Sequence, residues 1–189
     1  MIKSPSGTVV ALGANLSLRG NGPADTLRQA LSAMSEAGLV IRAQSRFFAT
    51  PCFPEGAGPD YVNAAALIET DLSATGILTV LHDIEQTFGR ARAQRWGMRT
   101  LDLDLVCCGE LVLPDVQEYR RWQTLPIEQQ VKVAPDQLIL PHPRLQDRAF
   151  VLVPMADVAK DWLHPELNKT VREMIRDLPA EDIAAVTPL

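Results

Sequence analysis

The sequence predicts an α+β fold, a ferredoxin-like α/β sandwich in which helices pack on a mostly antiparallel sheet. Three observations lead there. Segments with strand and helix character follow in the order strand, helix, strand, strand, helix, strand, which is the order of a split βαβ unit. Residues 99–105 read R-T-L-D-L-D-L, and the alternation of leucine with aspartate is the period of a half-buried strand. A chain of 189 residues with 47% hydrophobic content suffices for one ordinary core, so residues 1–189 are expected to form a single domain.

Thr8 to Leu12 (T-V-V-A-L) reads as a buried first strand ending at Gly13, followed by a Gly- and Asn-rich loop to Pro23. From about Ala24 a helix is expected, with Leu27, Leu31 and Met34 on one face and Gly38 as its stop. Leu39 to Ala49 and Tyr61 to Thr70 read as strands, joined by a turn-rich stretch with Pro51, Pro54, Gly56, Gly58 and Pro59. Ser73 is placed to cap a second helix carrying Ile77, Leu81, Ile84 and Phe88. An arginine-rich loop then leads into a strand ending at Cys108, with Leu111 to Leu113 as a short partner strand. Residues 114–137 are polar and irregular and read as an insertion. Within it Val116, Tyr119 and Trp122 form an apolar stripe if Val116 to Trp122 is helical. That stripe is expected to cover the sheet edge beside the aspartate-bearing strand, with Arg120 and Arg121 in water. Ala149 to Ala159 and Thr170 to Leu178 are expected helices.

Composition narrows the function. The net charge of −5 offers no broad electrostatic footprint for nucleic acid. No apolar run is long enough for a membrane span, and the first residues lack a signal-peptide pattern. Three cysteines, two of them adjacent and facing opposite sides of a strand, suit neither a disulfide framework nor a zinc site, so a reducing cytoplasm is the expected compartment. A Walker A loop is excluded because no lysine lies between Lys3 and Lys132 to reach phosphates. G-x-S-x-G and H-E-x-x-H are also absent.

The chemistry gathers around Asp102 and Asp104. Both project from one face of a strand, roughly 6.6 Å apart along it. Like charges so placed repel, and a divalent cation with a taste for hard oxygen ligands removes the penalty. A solvated strand face is the bland reading of a lone D-x-D. The approach to this strand holds Arg90, Arg92, Arg95 and Arg99 with no acidic residue among them, and guanidinium forks match phosphate oxygens. Metal with polyphosphate is the joint reading. Asn63 shares a strand face with Tyr61, and an amide below an aromatic ring is a suitable seat for a flat heterocycle. His142 lies in L-P-H-P-R-L, with Arg144 and Arg148 close behind.

The motifs V-A-L-G-A-N-L (10–16), S-R-F-F-A-T-P (45–51), D-Y-V-N-A-A (60–65), G-R-A-R with R-W-G-M-R-T-L-D-L-D-L (89–105) and L-P-H-P-R-L-Q-D-R-A-F-V-L-V-P (140–154) together resemble the 6-hydroxymethyl-7,8-dihydropterin pyrophosphokinase family. The resemblance covers most of residues 8–160. It implies transfer of a pyrophosphoryl group from ATP to the pterin hydroxymethyl, with AMP released and two Mg²⁺ ions employed. It implies that Asp102 and Asp104 hold the metals and that Arg90 and Arg99 steady the transferring group. Glu85, Arg92, His142 and Arg148 would contact ATP. Tyr61 and Phe150 would sandwich the pterin, Thr50, Asn63 and the backbone near Phe53 would read its edges, and Trp96 would close over it. The implied partners are these small molecules, with no nucleic acid or membrane.

Met98 stands where the family usually has proline, Pro143 where some members carry an aromatic, and the 114–137 insertion is long for the family. A D-x-D glycosyltransferase is the enzyme alternative, though the arginine loop before D-x-D and the small domain argue against it. A ferredoxin-like RNA-binding module is the other, and it calls for a basic face and aromatics on central strands.

Overall fold

Residues 8–14 form an almost wholly buried strand at the middle of the sheet. The computed structural model describes residues 7–52, 58–89, 100–126, 129 and 133–189. Its strands are β1 (Thr8–Ala14), β2 (Val40–Gln44), β3 (Phe48–Thr50), β4 (Tyr61–Glu69), β5 (Asp102–Cys108) and β6 (Thr187–Pro188). Its helices are α1 (Pro23–Glu36), α2 (Ala74–Thr87), α3 (Val116–Gln123), α4 (Ala149–Ala159), α5 (Val171–Asp177) and α6 (Ala180–Ala184), with a 3-10 turn at Leu145–Asp147.

Every strand pairing is antiparallel, in the order β5-β1-β4-β3-β6, and β2 also pairs with β4. Because β2 and β3 lie end to end along one edge of β4, the first five strands form the expected ferredoxin-like arrangement. The single strand expected over 39–49 is broken at Ser45, whose Oγ accepts the Ala65 amide at 2.9 Å while its own amide donates to the Ala65 carbonyl. A side-chain oxygen thus replaces one ladder carbonyl, and the chain bends there.

Helix boundaries follow local chemistry. Pro23 opens α1, where its missing N–H costs nothing. The Ser73 hydroxyl caps α2 by accepting the Gly76 amide at 3.1 Å. Leu27, Leu31 and Met34 of α1 and Ile77, Leu81 and Ile84 of α2 pack on the sheet face made by Val10, Leu12, Ala64, Ala66, Leu103 and Leu105. On the other face Val9, Ala65, Val106 and Cys107 meet Val151, Leu152 and Met155 of α4 and Val171 and Met174 of α5. The product is a three-layer sandwich. Cys107 and Cys108 face opposite layers, as their adjacency requires, and all three cysteines are free thiols. No helix among the described residues is long and apolar enough to cross a membrane.

The outer edge of β5 differs from expectation. The partner strand foreseen at 111–113 shrinks to one bridge between Leu113 and Leu140. The edge is met instead by the segment that follows, where the His142 amide donates to the Val106 carbonyl at 2.8 Å. Val106 is the extra residue of a bulge, since Val10 opposes Leu105 and Val9 opposes Cys107.

The helix α3 forms as the apolar stripe suggests, but only the middle residue of that stripe is buried. Tyr119 is fully buried, while Val116 is 39% exposed. A three-residue step drifts by about 60° on a helix of 3.6 residues per turn, so 116 and 122 fall on the flanks of the Tyr119 line. Arg120 and Arg121 are exposed, as expected, and pair with Glu166 and Glu118. The Tyr119 hydroxyl meets His164 Nε2 at 2.9 Å. His164 Nδ1 accepts the amides of Glu166 and Leu167, so Nε2 carries the proton and donates to Tyr119. Trp162 stands edge-on to the imidazole and donates its indole N–H to the Gly109 carbonyl at the end of β5.

Burial holds the His164 pKa down at about 4 from an ordinary 6.5. The unfolded chain takes up that proton first, so this stability is full above pH 6.5 and disappears as pH falls through 4. The loss is about 3 kcal/mol at 1.36 kcal/mol per pH unit. Thermal or urea unfolding of the wild type from pH 7 to pH 4 should show it, and His164→Gln should give a flatter profile from a lower starting stability. Parallel profiles for the two proteins would refute the assignment.

Candidate active site

The alternation of β5 sends Leu103 and Leu105 into the core beneath α2 and turns Asp102 and Asp104 to the opposite face. Cross-strand register then defines the neighbours. Asp102 lies opposite Gly13, Gly13 opposite Asn63, and Asn63 opposite Phe48. In the next row Asp104 lies opposite Ala11, and Ala11 opposite Ala65. Directly paired residues share a face. One sheet face therefore carries two carboxylates at its β5 edge, a floor of glycine and alanine in the middle, and an amide beyond it.

Thr50 lies opposite Tyr61 on the same face. Asn63 and Thr50 are 6% and 7% exposed, and the Asn63 Nδ2 donates to the Thr50 hydroxyl at 2.7 Å. Gly13 matters by what it lacks: a Cβ there would stand 3.1 Å from the Asn63 Oδ1. The sequence pointed to Gly13 as the end of a strand and the start of a turn, whereas it lies inside β1. Asn15, two residues on, is buried and ties this end of the sheet to the segment just before β4 by donating to the Pro59 carbonyl at 3.2 Å.

The rim above the carboxylates comes from residues 141–150. His142 is half-buried, and its Nδ1 accepts the Arg144 amide at 3.1 Å, leaving the proton on Nε2. Burial and the nearby Arg148 charge hold its pKa far below the ordinary imidazole value, while Asp102 pulls in the opposite direction. At neutral pH the ring is thus an uncharged N–H donor. Arg144 adds a second guanidinium, braced by Asp147 at 2.9 Å. Arg148 stacks on Phe150 with its guanidinium carbon 5.7 Å from the ring centroid. It also begins α4 without capping it through its side chain, so the helix's positive end adds to its charge. Phe150 is 41% exposed, and the neighbouring Ala149 packs on Phe48, which anchors this rim over the Asn63 row.

Glu85 sits elsewhere. It was expected beside a nucleotide, yet it is 1% exposed and lies behind β5, where its carboxylate accepts the Leu103 amide at 2.7 Å. Arg90, Arg92, Arg99, Trp96 and Phe53 lie outside the described residues.

Among the described residues no cluster of three or more His, Cys, Asp or Glu side chains is arranged to hold a metal ion. Asp102 and Asp104 are therefore a two-carboxylate set. That fits Mg²⁺, which keeps several waters and takes further oxygens from substrate phosphates. The donor set, the positive rim and the amide–hydroxyl pair across a small-residue floor make a site suited to a small polyanion. The family model for 7,8-dihydro-6-hydroxymethylpterin-pyrophosphokinase matches residues 9–160. The chain belongs to that family, and is an enzyme that transfers diphosphate.

The 2-amino-4-hydroxy-6-hydroxymethyldihydropteridine pyrophosphokinase of Synechocystis is 34% identical over 186 residues, which span 96% of this chain and 81% of that one. The Haemophilus influenzae protein of the same name is 32% identical over 95% of this chain and 97% of its own. The fold matches the solved HPPK-DHPS of Plasmodium falciparum with a TM-score of 0.61 at 13% identity, over 93% of this chain and 44% of that one. The chain thus spans less than half of that two-part protein.

The Asn63–Thr50 bond is open to direct test. Thr50→Val leaves a buried amide N–H without its acceptor and should cost about 1–3 kcal/mol, whereas Thr50→Ser should cost clearly less. Gly13→Ala should weaken the same bond by displacing the Asn63 amide. Urea unfolding of the three variants measures this, and equal stabilities for the Val and Ser variants would refute it.

Proposed function

We propose that this chain transfers the terminal diphosphate of ATP to the hydroxymethyl group of 6-hydroxymethyl-7,8-dihydropterin and releases AMP, in folate synthesis. The observation that carries the reading is the cross-strand row Asp102, Gly13, Asn63. Two strand spacings separate its ends, about 10 Å, a span that a bicyclic heterocycle with a short arm can bridge. The Asn63 amide and the Thr50 hydroxyl present donors and acceptors to the edge of a pterin. Tyr61, on their face, and the exposed Phe150 are the aromatic surfaces available to its rings. The arm then points along the glycine floor toward the carboxylates.

In the reaction the hydroxymethyl oxygen bonds to the β-phosphorus, the bond from that phosphorus to the α–β bridging oxygen breaks, and the hydroxyl proton leaves to solvent. Asp102 and Asp104 would hold Mg²⁺, which offsets the phosphate charge and orients the transferring group. Neutral His142 donates from Nε2 and Arg148 pairs with phosphate oxygens. Arg90, Arg92 and Arg99 are assigned to the phosphates, Phe53 to the pterin edge and Trp96 to closure over it, on their positions in the family motif alone. Glu85 is left out of the nucleotide contacts because it is buried. Three free thiols suit a cytoplasmic enzyme. The 114–137 segment, pinned through Tyr119, is read as an insertion in a single domain.

Incubation with ATP, Mg²⁺ and the reduced hydroxymethylpterin should yield AMP and the pterin diphosphate in equal amounts. Release of a nucleoside diphosphate from a nucleotide sugar instead would support the glycosyltransferase reading. Asp102→Asn and Asp104→Asn should each lower kcat by about 100-fold or more with an unchanged circular dichroism spectrum, because both side chains are only half-buried. Near-normal turnover of both variants at limiting Mg²⁺ would remove the metal assignment.

A further inference from the structure

We propose that Glu85 is a positioning residue for the Asp102–Asp104 pair, acting through the backbone of β5 without touching a substrate. Its placement is unfavourable by every local measure. It is 1% exposed, and it lies in the last turn of α2, where the helix end is already negative. A buried carboxyl group needs hydrogen-bonding partners to offset its lost hydration.

The bond it makes is to the most consequential amide of the strand. Its Oε1 accepts from the Leu103 N–H at 2.7 Å, and Leu103 stands between the two aspartates. In an antiparallel edge strand, backbone groups point alternately toward the neighbour and away from it. The Leu103 amide points away from β1, where a further strand would otherwise supply a carbonyl. Glu85 supplies the acceptor instead.

The peptide plane so held joins Asp102 to Leu103, which sets the direction of the Asp102 side chain against that of Asp104. A second tether acts at the same corner, since the Thr100 hydroxyl donates to the Phe88 carbonyl at 2.7 Å. The end of α2 therefore grips β5 both before and within the D-x-D run. Among the described residues, the edge contact from the His142 amide to the Val106 carbonyl falls beyond it.

The inference rests on reading Asp102 and Asp104 as metal ligands, and the experiment separates the two. Free Mn²⁺ is followed by electron paramagnetic resonance as it binds the full chain with α,β-methylene-ATP, in wild type, Glu85→Gln and Glu85→Met. The glutamine keeps an acceptor for the Leu103 amide and should hold Mn²⁺ affinity within about three-fold of wild type. The methionine keeps volume but no strong acceptor and should weaken it by about ten-fold or more, the range for residues that orient metal ligands. Equal affinity in folded Glu85→Met overturns the proposal, and so does a loss in Glu85→Gln as large as in Glu85→Met.

Amide exchange of Leu103 gives a readout that does not depend on the methionine variant folding. The amide should be protected in wild type and in Glu85→Gln, and exchange in either at the rate of an unbonded edge amide overturns the proposal. Wild type that binds no Mn²⁺ with the nucleotide analogue overturns the metal reading itself, while Leu103 protection still reports on the bond.

Discussion

The structure turns on how β5 is held. This strand borders the sheet yet carries two carboxylates toward the solvent-facing rim and two leucines into the core. Antiparallel pairing with β1 secures one side. Among the described residues the other side is met by the Glu85 carboxylate on the Leu103 amide, the His142 amide on the Val106 carbonyl, and the Trp162 indole on the Gly109 carbonyl just past the strand. An edge strand left open is both mobile and prone to pair with other chains. Closing it with side chains and loop amides satisfies the edge without a further strand, and both aspartates are half-buried.

Across the sheet, the site depends on size as much as on charge. Gly13 and Ala11 lie between the carboxylates and Asn63, and larger side chains in that row would fill the space between the two ends. The Asn63 amide occupies the room beside Gly13 and is locked to Thr50, so its orientation is set before any ligand arrives. Preorganised donors of this kind do not have to reorient at the moment of reaction. Arg144 and Arg148 make the rim locally basic in a chain that is acidic as a whole.

The chain beyond the ferredoxin-like unit stabilises the side of the sheet that holds the site. Helices α4 and α5 cover the face opposite α1 and α2, and α4 carries Arg148 and Phe150 at its beginning. Helix α3 is tied to this layer through Tyr119 and His164, a buried pair that rests on two backbone amides. The helix α3 is thus part of the folded body at Tyr119, although its outer face is an ordinary charged helix surface with ion pairs of little energetic weight.

Much was legible in the sequence because it depends on local period and residue type. The β5 alternation, the Ser73 cap, the spacing of Ile77, Leu81 and Ile84, and the span of α4 follow from rules that act within a few residues. The carboxylate pair and its facing were legible for the same reason. The break at Ser45, the C-terminal strand β6 and the lone burial of Tyr119 were not, since each is decided by a partner distant in the chain: Ala65, β3 and His164. Glu85 shows the difference most clearly. Its sequence position allows an exposed helix charge or a nucleotide contact, and only the packing of α2 against β5 turns it inward onto the Leu103 amide. Periodicity reports which face a residue occupies, whereas its partner across the fold depends on register and packing between elements. Only the tertiary structure decides those.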